Sequence, residues 1–345
     1  MLSADSILTL SNRRTVNSPA RNHKPISVAV QQREFIEGIS LPLLSRLRLY
    51  DPLKKPHGLK KLGRKIGQSA DVILHGWMKL PSRGIFTVRQ ADGSASKVEF
   101  NAHQSAYLAF ASRALFGGYE LAETMFLEAM LARSNCFYDV GANWGYYSLL
   151  AATHPHYHGP VYSFDVSGEM NAAISGMAKA LECQTIEVMG HGLSNHSGYS
   201  AISADRATHL IKVMPGTGGQ KHDDRSVPVA RLDDLDISPP DMIKLDVEDH
   251  EFEVLEGARN VISRHLPIVL FESRNGDDGG KAGRLLMSYG YQLYGLQPWN
   301  GPKTGIDLVP IHSDDAGSGS HLNLVAVPEG HESRWFDAVS PDDVM

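Results

Sequence analysis

Cysteine is nearly absent: Cys136 and Cys183 are the only two in 345 residues. Two thiols cannot build a disulfide framework or a cysteine-rich zinc site, so a reducing cytoplasm is the expected setting. No apolar run approaches the roughly 18–20 residues needed to span a bilayer. A strongly basic domain, the usual mark of a nucleic-acid binder, is missing too. The chain has 33 Lys and Arg against 39 Asp and Glu, a net charge of −6. What is present is ordinary globular composition, 42% hydrophobic and 21% charged, long enough for two domains or one large one with an elaboration.

The charge is unevenly placed. Residues 1–65 hold 13 Lys and Arg against four acidic residues. The first 30 residues lack the apolar core of a secretory signal and read as a flexible tail. Leu41 to Lys65 interleaves leucines with basic residues, a pattern that can rest weakly on an anionic membrane surface or pack on the domain behind it. Four regions are expected: a basic, partly flexible segment at 1–65, a cap at 66–134, a main domain at 135–328 and an acidic, frayed tail at 329–345.

Within the cap, Asp71 to Leu80 reads as a strand. Gly84–Gln90 and Lys97–Phe100 read as a hairpin turning at Asp92-Gly93. His103–Leu115 and Tyr119–Arg133 read as helices, the second amphipathic, with acidic residues at its start favoured by the helix dipole. After residue 135 strands and helices alternate. Strands are expected at 137–140, 161–164, 186–189, 242–246, 268–272, 291–296 and 322–327, with an extra edge strand at 227–232. Helices are expected at 146–152, 170–181, 251–262 and up to 289. The stretch 196–225 reads as a polar, irregular lid. This alternation predicts an α/β fold, a mostly parallel sheet with helices on both faces.

In such sheets ligands bind beyond the carboxyl ends of the strands, where strand order reverses. The first strand runs into Asp139-Val140-Gly141-Ala142-Asn143-Trp144-Gly145, a glycine turn without the G-x-G-x-x-G spacing that seats a pyrophosphate. Asp165 follows 20 residues after Gly145, where an acid can hold ribose hydroxyls. A glycine turn with a ribose acid but no pyrophosphate spacing suits a mononucleoside. S-adenosylmethionine fits, with Asp139 facing its ammonium group. The plainer reading is that Asp139 caps the turn and Asp165 the next helix.

From about Gly118 to Pro328 the chain resembles the FkbM family of methyltransferases. The likeness rests on FYDVGANWGYYS (137–148), GLSNHSG (192–198), RLDDL (231–235), IKLDVE (243–248) with VLEGA (254–258), PIVLFE (267–272) and LNLVAVP (322–328). It implies a Rossmann-like class I fold and S-adenosylmethionine-dependent O-methylation. It also implies that Asp139, Gly141, Asn143 and Gly145 line the methionine side, that Asp165 holds the ribose, and that Leu193 and Ser194 lie near the adenine. A sugar, glycan or secondary-metabolite hydroxyl is the implied acceptor. The family commonly has Glu-Pro where this chain has Asp165-Val166, and Gly where it has Asp249.

Methyl transfer to an alcohol needs two oriented reactants and a base for the hydroxyl proton. Asp246, Glu248, His250 and Glu272 cluster at the ends of two neighbouring strands and are the expected catalytic groups. Asp246 and Glu248 share a side if extended geometry continues that far, and His250 has the ordinary pKa of a neutral-pH base. The same acids could instead hold a divalent cation, although no metal is expected. Trp77, Tyr119 and Glu120 are candidate acceptor contacts. Two rivals are a non-catalytic nucleoside or nucleotide-sugar binding module and a nicotinamide-dependent oxidoreductase, the latter disfavoured by the missing glycine spacing.

Overall fold

The structure is a computed structural model. It describes residues 25–30, 33, 35–40, 73, 78, 83–101, 119–204, 211–213, 226–273, 277–298, 305–311 and 323–336. The basic stretch 41–65, the expected helix at 103–115 and Trp77 lie outside them.

Short apolar runs become buried strands because both of their faces are covered. β1 (Ile26–Ala29), β5 (Phe137–Val140), β6 (Val161–Phe164), β7 (Ile186–Val188), β12 (Met242–Leu245), β13 (Ile268–Glu272), β14 (Tyr291–Pro298), β15 (Gly305–Ile311) and β16 (Asn323–Pro328) form one sheet. Its order is β1-β15-β14-β16-β13-β12-β5-β6-β7. From β13 to β7 all neighbours are parallel, and β16 enters antiparallel between β13 and β14. The chain starts at β5, runs outward to β7, then returns to β12 on the other side. That reversal between β5 and β12 is the switch point of a Rossmann-like α/β fold.

Helices α1 (Leu121–Leu131), α2 (Tyr146–Ala152) and α3 (Gly168–Ala180) cover one face, and α4 (Glu251–Gly257), α5 (Arg259–His265) and α6 (Asp277–Ser288) the other. Each face has its own hydrophobic cluster. The cap hairpin is present as β3 (Arg83–Arg89) and β4 (Ala95–Asn101), with β2 (Ile36–Ser40) added along β3.

Several expectations are corrected. The tail reading of residues 1–30 fails at β1, which pairs with β15 and buries Val28. Of the expected strand at 71–80 only Ile73 and Met78 are described, and Met78 N donates to Ile73 O, which is not a strand ladder bond. The lid at 196–225 holds β9 (Gly198–Ala204) and β10 (Ile211–Val213), which join β11 (Ser226–Ala230) and β8 (Gly192–Leu193) in a second sheet. The expected edge strand, β11, therefore lies inside that sheet, between β9 and β8. The helix at 251–262 is two helices, broken at Ala258. The frayed tail contains α7 (Glu332–Phe336), whose Trp335 is 0% exposed.

Candidate active site

The turn after β5 carries three left-handed residues within five: Gly141 (φ 78°), Asn143 (φ 51°) and Gly145 (φ 89°). Glycine is needed at 141 for space as well, because a Cβ there would lie 1.8 Å from the Asp246 carbonyl oxygen. The ends of β5 and β12 thus touch through backbone, and Asp246 N donates to Val140 O (3.0 Å). The site is built where strand order reverses.

Asp165 follows β6 and braces this turn. Its Oδ2 accepts from Asn143 N and its Oδ1 from Ser167 N, both at 2.8 Å. Burial pushes its carboxyl up to about 6 against those two bonds. Each oxygen keeps a second lone pair, so bracing the turn and meeting hydroxyls are compatible. Asp139 is 0% exposed, with Oδ2 accepting from Ser148 Oγ (2.6 Å) and Oδ1 enclosed without a hydrogen-bond partner.

Beside it lies the residue that the sequence reading passed over. Lys244, 7% exposed inside β12, places Nζ 2.9 Å from Asp246 Oδ2 and 4.9 Å from the Tyr147 ring centroid. Burial works against its charge, but Asp246, Glu120 and Asp139 outweigh that and raise its pKa. The Tyr147 hydroxyl donates to Glu120 Oε2 (2.6 Å). Glu123 accepts from Asn323 Nδ2 at 2.5 Å, and burial, then Glu120, pushes it up to about 7. A lysine within the otherwise apolar MIKL was the available signal, since an interior charge requires partners. The acids before and in the first turn of α1 look like dipole complements in sequence. In the structure the Glu120 side chain makes no cap bond and meets Tyr147 instead.

The expected catalytic groups are not all gathered. Asp246 keeps 31% of its side chain exposed at the crevice. Glu272 ends β13 opposite Asn323. Extended geometry stops at Leu245, and Glu248 (φ 56°) and Asp249 (φ 73°) are left-handed, so strand alternation does not carry Glu248 onto the side of Asp246. Asp249 thereby keeps the backbone form suited to the glycine usual in the family. His250 is 1% exposed, with Nε2 3.0 Å from Ser194 Oγ and Nδ1 3.6 Å from Glu253. Burial, then His196, lowers it to about 4. Leu193 (3% exposed) and Ser194 (0%) are packed inside, and a Cβ on Gly257 would meet Ser194 O at 1.9 Å. These three residues form a joint between β8 and α4. Among the described residues no three His, Cys, Asp or Glu are grouped to hold a metal, and no helix could cross a membrane.

Residues 139–293 match the model of the methyltransferase FkbM domain. This stretch, a little under half of the chain, is similar to that domain. No protein of curated function matches it. Methyltransferase FkbM from Methylobacillus flagellatus KT is 19% identical with a TM-score of 0.35, over 51% of this chain and 44% of that one. This chain therefore spans less than half of that protein's length. A precorrin-6y C5,15-methyltransferase from Geobacter metallireducens GS-15 is 12% identical, TM-score 0.36, over 62% and 91%. A SAM-dependent methyltransferase from Aquifex aeolicus is 15% identical, TM-score 0.34, over 60% and 96%. Likenesses this low carry no argument beside the strand order. The FkbM domain match begins at Asp139 and so spans the glycine turn, Asp165 and the Lys244–Asp246 pair.

Proposed function

We propose that this protein is an S-adenosylmethionine-dependent methyltransferase that methylates a hydroxyl of a sugar, glycan or secondary metabolite. The observation that carries the reading is the glycine turn of β5 closed onto the end of β12 within the FkbM domain. The residues present fit the cofactor. Asp165 has lone pairs for ribose hydroxyls, and among the described residues the carboxylates around Lys244 outnumber it, which suits a cationic ligand. The partnerless Oδ1 of Asp139 adds to that excess.

When bound, the cofactor supplies a methyl group on a positively charged sulfur. The chain supplies position and a proton acceptor. Gly141 lets the turn close onto Asp246, Gly145 lets it pack against Ile174, and Asp165 holds the turn in that shape. Asp246 stands at the mouth with Lys244 behind it, fixing one carboxylate oxygen. An acceptor hydroxyl beside the other oxygen would give its proton to Asp246. His250 acts indirectly, as the joint that holds the turn after β8.

The test is transfer of labelled methyl from S-adenosylmethionine to a panel of free sugars, nucleotide sugars and lipid-linked glycans. Asp246→Asn should lower the transfer rate about 100-fold or more while S-adenosylhomocysteine affinity is retained. Transfer only to amines, or full activity of the variant, would overturn the reading.

A further inference from the structure

Glu120 stands 19 residues before the stretch that matches the FkbM domain. Its backbone is left-handed (φ 41°, ψ 62°), an uncommon state for a residue with a side chain. It does not cap α1, the helix it precedes. Its carboxylate is instead pinned by the Tyr147 hydroxyl, in the first turn of the helix that leaves the glycine turn. From there its charge acts on Lys244 and Asp246.

Among the described residues this set holds more acids than cations. Among the described residues Lys244 is the cation that acts on Glu120 and Asp139 and pairs with Asp246, and Glu123 adds a further acid beside Glu120. Asp139, fully enclosed, retains an oxygen with no hydrogen-bond partner. Asp139 has no surface to touch a ligand, whereas Glu120 is only partly buried and can do so. Tyr119 also hydrogen-bonds this carboxylate, and its ring lies 6.3 Å from that of Tyr147, centroid to centroid. A carboxylate held in place by hydroxyl donors and surrounded by further acids favours an ammonium group.

We propose that Glu120 binds the α-ammonium at the methionine end of the cofactor, so that the segment before the FkbM domain completes the cofactor site. This rests on the cofactor reading above. Tyr147 is the positioning residue that aims Glu120, and Lys244 keeps Asp246 from competing for the same ammonium.

Calorimetric titration of the full chain tests it with two ligands. S-adenosylhomocysteine carries the amino-acid end, and 5′-methylthioadenosine keeps the adenosine and sulfur without it. Glu120→Gln should weaken S-adenosylhomocysteine about tenfold or more and leave methylthioadenosine unchanged. Tyr147→Phe should act in the same direction but less, and it carries the comparison if Glu120→Gln does not fold. Equal loss for both ligands, or no loss for either, overturns the proposal. Folded wild-type protein that binds neither ligand overturns the cofactor reading itself, and that failure is seen without any variant.

Discussion

His250 is an ionisable residue held neutral. Its ring is enclosed against Ser194, and burial lowers it to about 4 from an ordinary 6.5. Above pH 6.5 it is neutral whether the chain is folded or not. As pH falls from 6.5 to 4 the unfolded chain takes up a proton that the folded ring refuses, so folded stability is lost across that window. The shift corresponds to about 3 kcal/mol. Carboxyls raised by burial, Asp165 and Glu251 among them, work in the opposite sense over an overlapping range, so the comparison must be with a variant. His250→Gln should lose less stability than wild type between pH 7 and pH 4 in chemical denaturation. A gap that stays constant with pH contradicts the account. At this scale the sequence was half legible. Asp139, Gly141 and Gly145 could be placed because a turn after a buried strand has few alternatives. Lys244 and the pinning of Glu120 depend on contacts between β12, α1 and α2, which no local pattern states.

Elements were legible where an apolar run was bounded by turn residues. β5, β6 and β13 fall where the sequence puts them, since four or five buried residues between breakers leave little freedom. β1 and β15 were not legible. Ile26–Ala29 has an alternating pattern, but its partner lies some 280 residues away, where Ser27 Oγ meets Asp307. The N-terminal segment is also tied down by Arg33, which reaches the buried Glu128 on α1 and the carbonyls of Leu150 and Thr153 at the end of α2. α7 was hidden by its short, polar sequence. It is anchored by Trp335 in the core and by Arg334, whose Nη2 meets Asp241 at 2.5 Å. Trp335→Ala should cost about 3–5 kcal/mol in thermal or denaturant unfolding. Trp335→Phe should cost far less, because the indole Nε1 has no hydrogen-bond partner among the described residues. Equal effects of the two substitutions would mean that α7 is not held by packing.

Over the whole molecule, the strand order does the decisive work. A parallel sheet with its reversal between β5 and β12 puts the glycine turn, Asp165 and Asp246 at one end, although they are spread over more than 100 residues of sequence. The alternation of strands and helices made that sheet legible. The second sheet, β8 to β11, was not, because its strands are polar and it is assembled partly from the expected lid. The central claim is that this end of the sheet takes S-adenosylmethionine. Calorimetric titration of the full chain with S-adenosylmethionine, S-adenosylhomocysteine and NAD tests it most directly. The account predicts binding of both sulfur ligands at roughly micromolar concentration and none of NAD. Folded protein that binds neither sulfur ligand, or that prefers NAD, would contradict it.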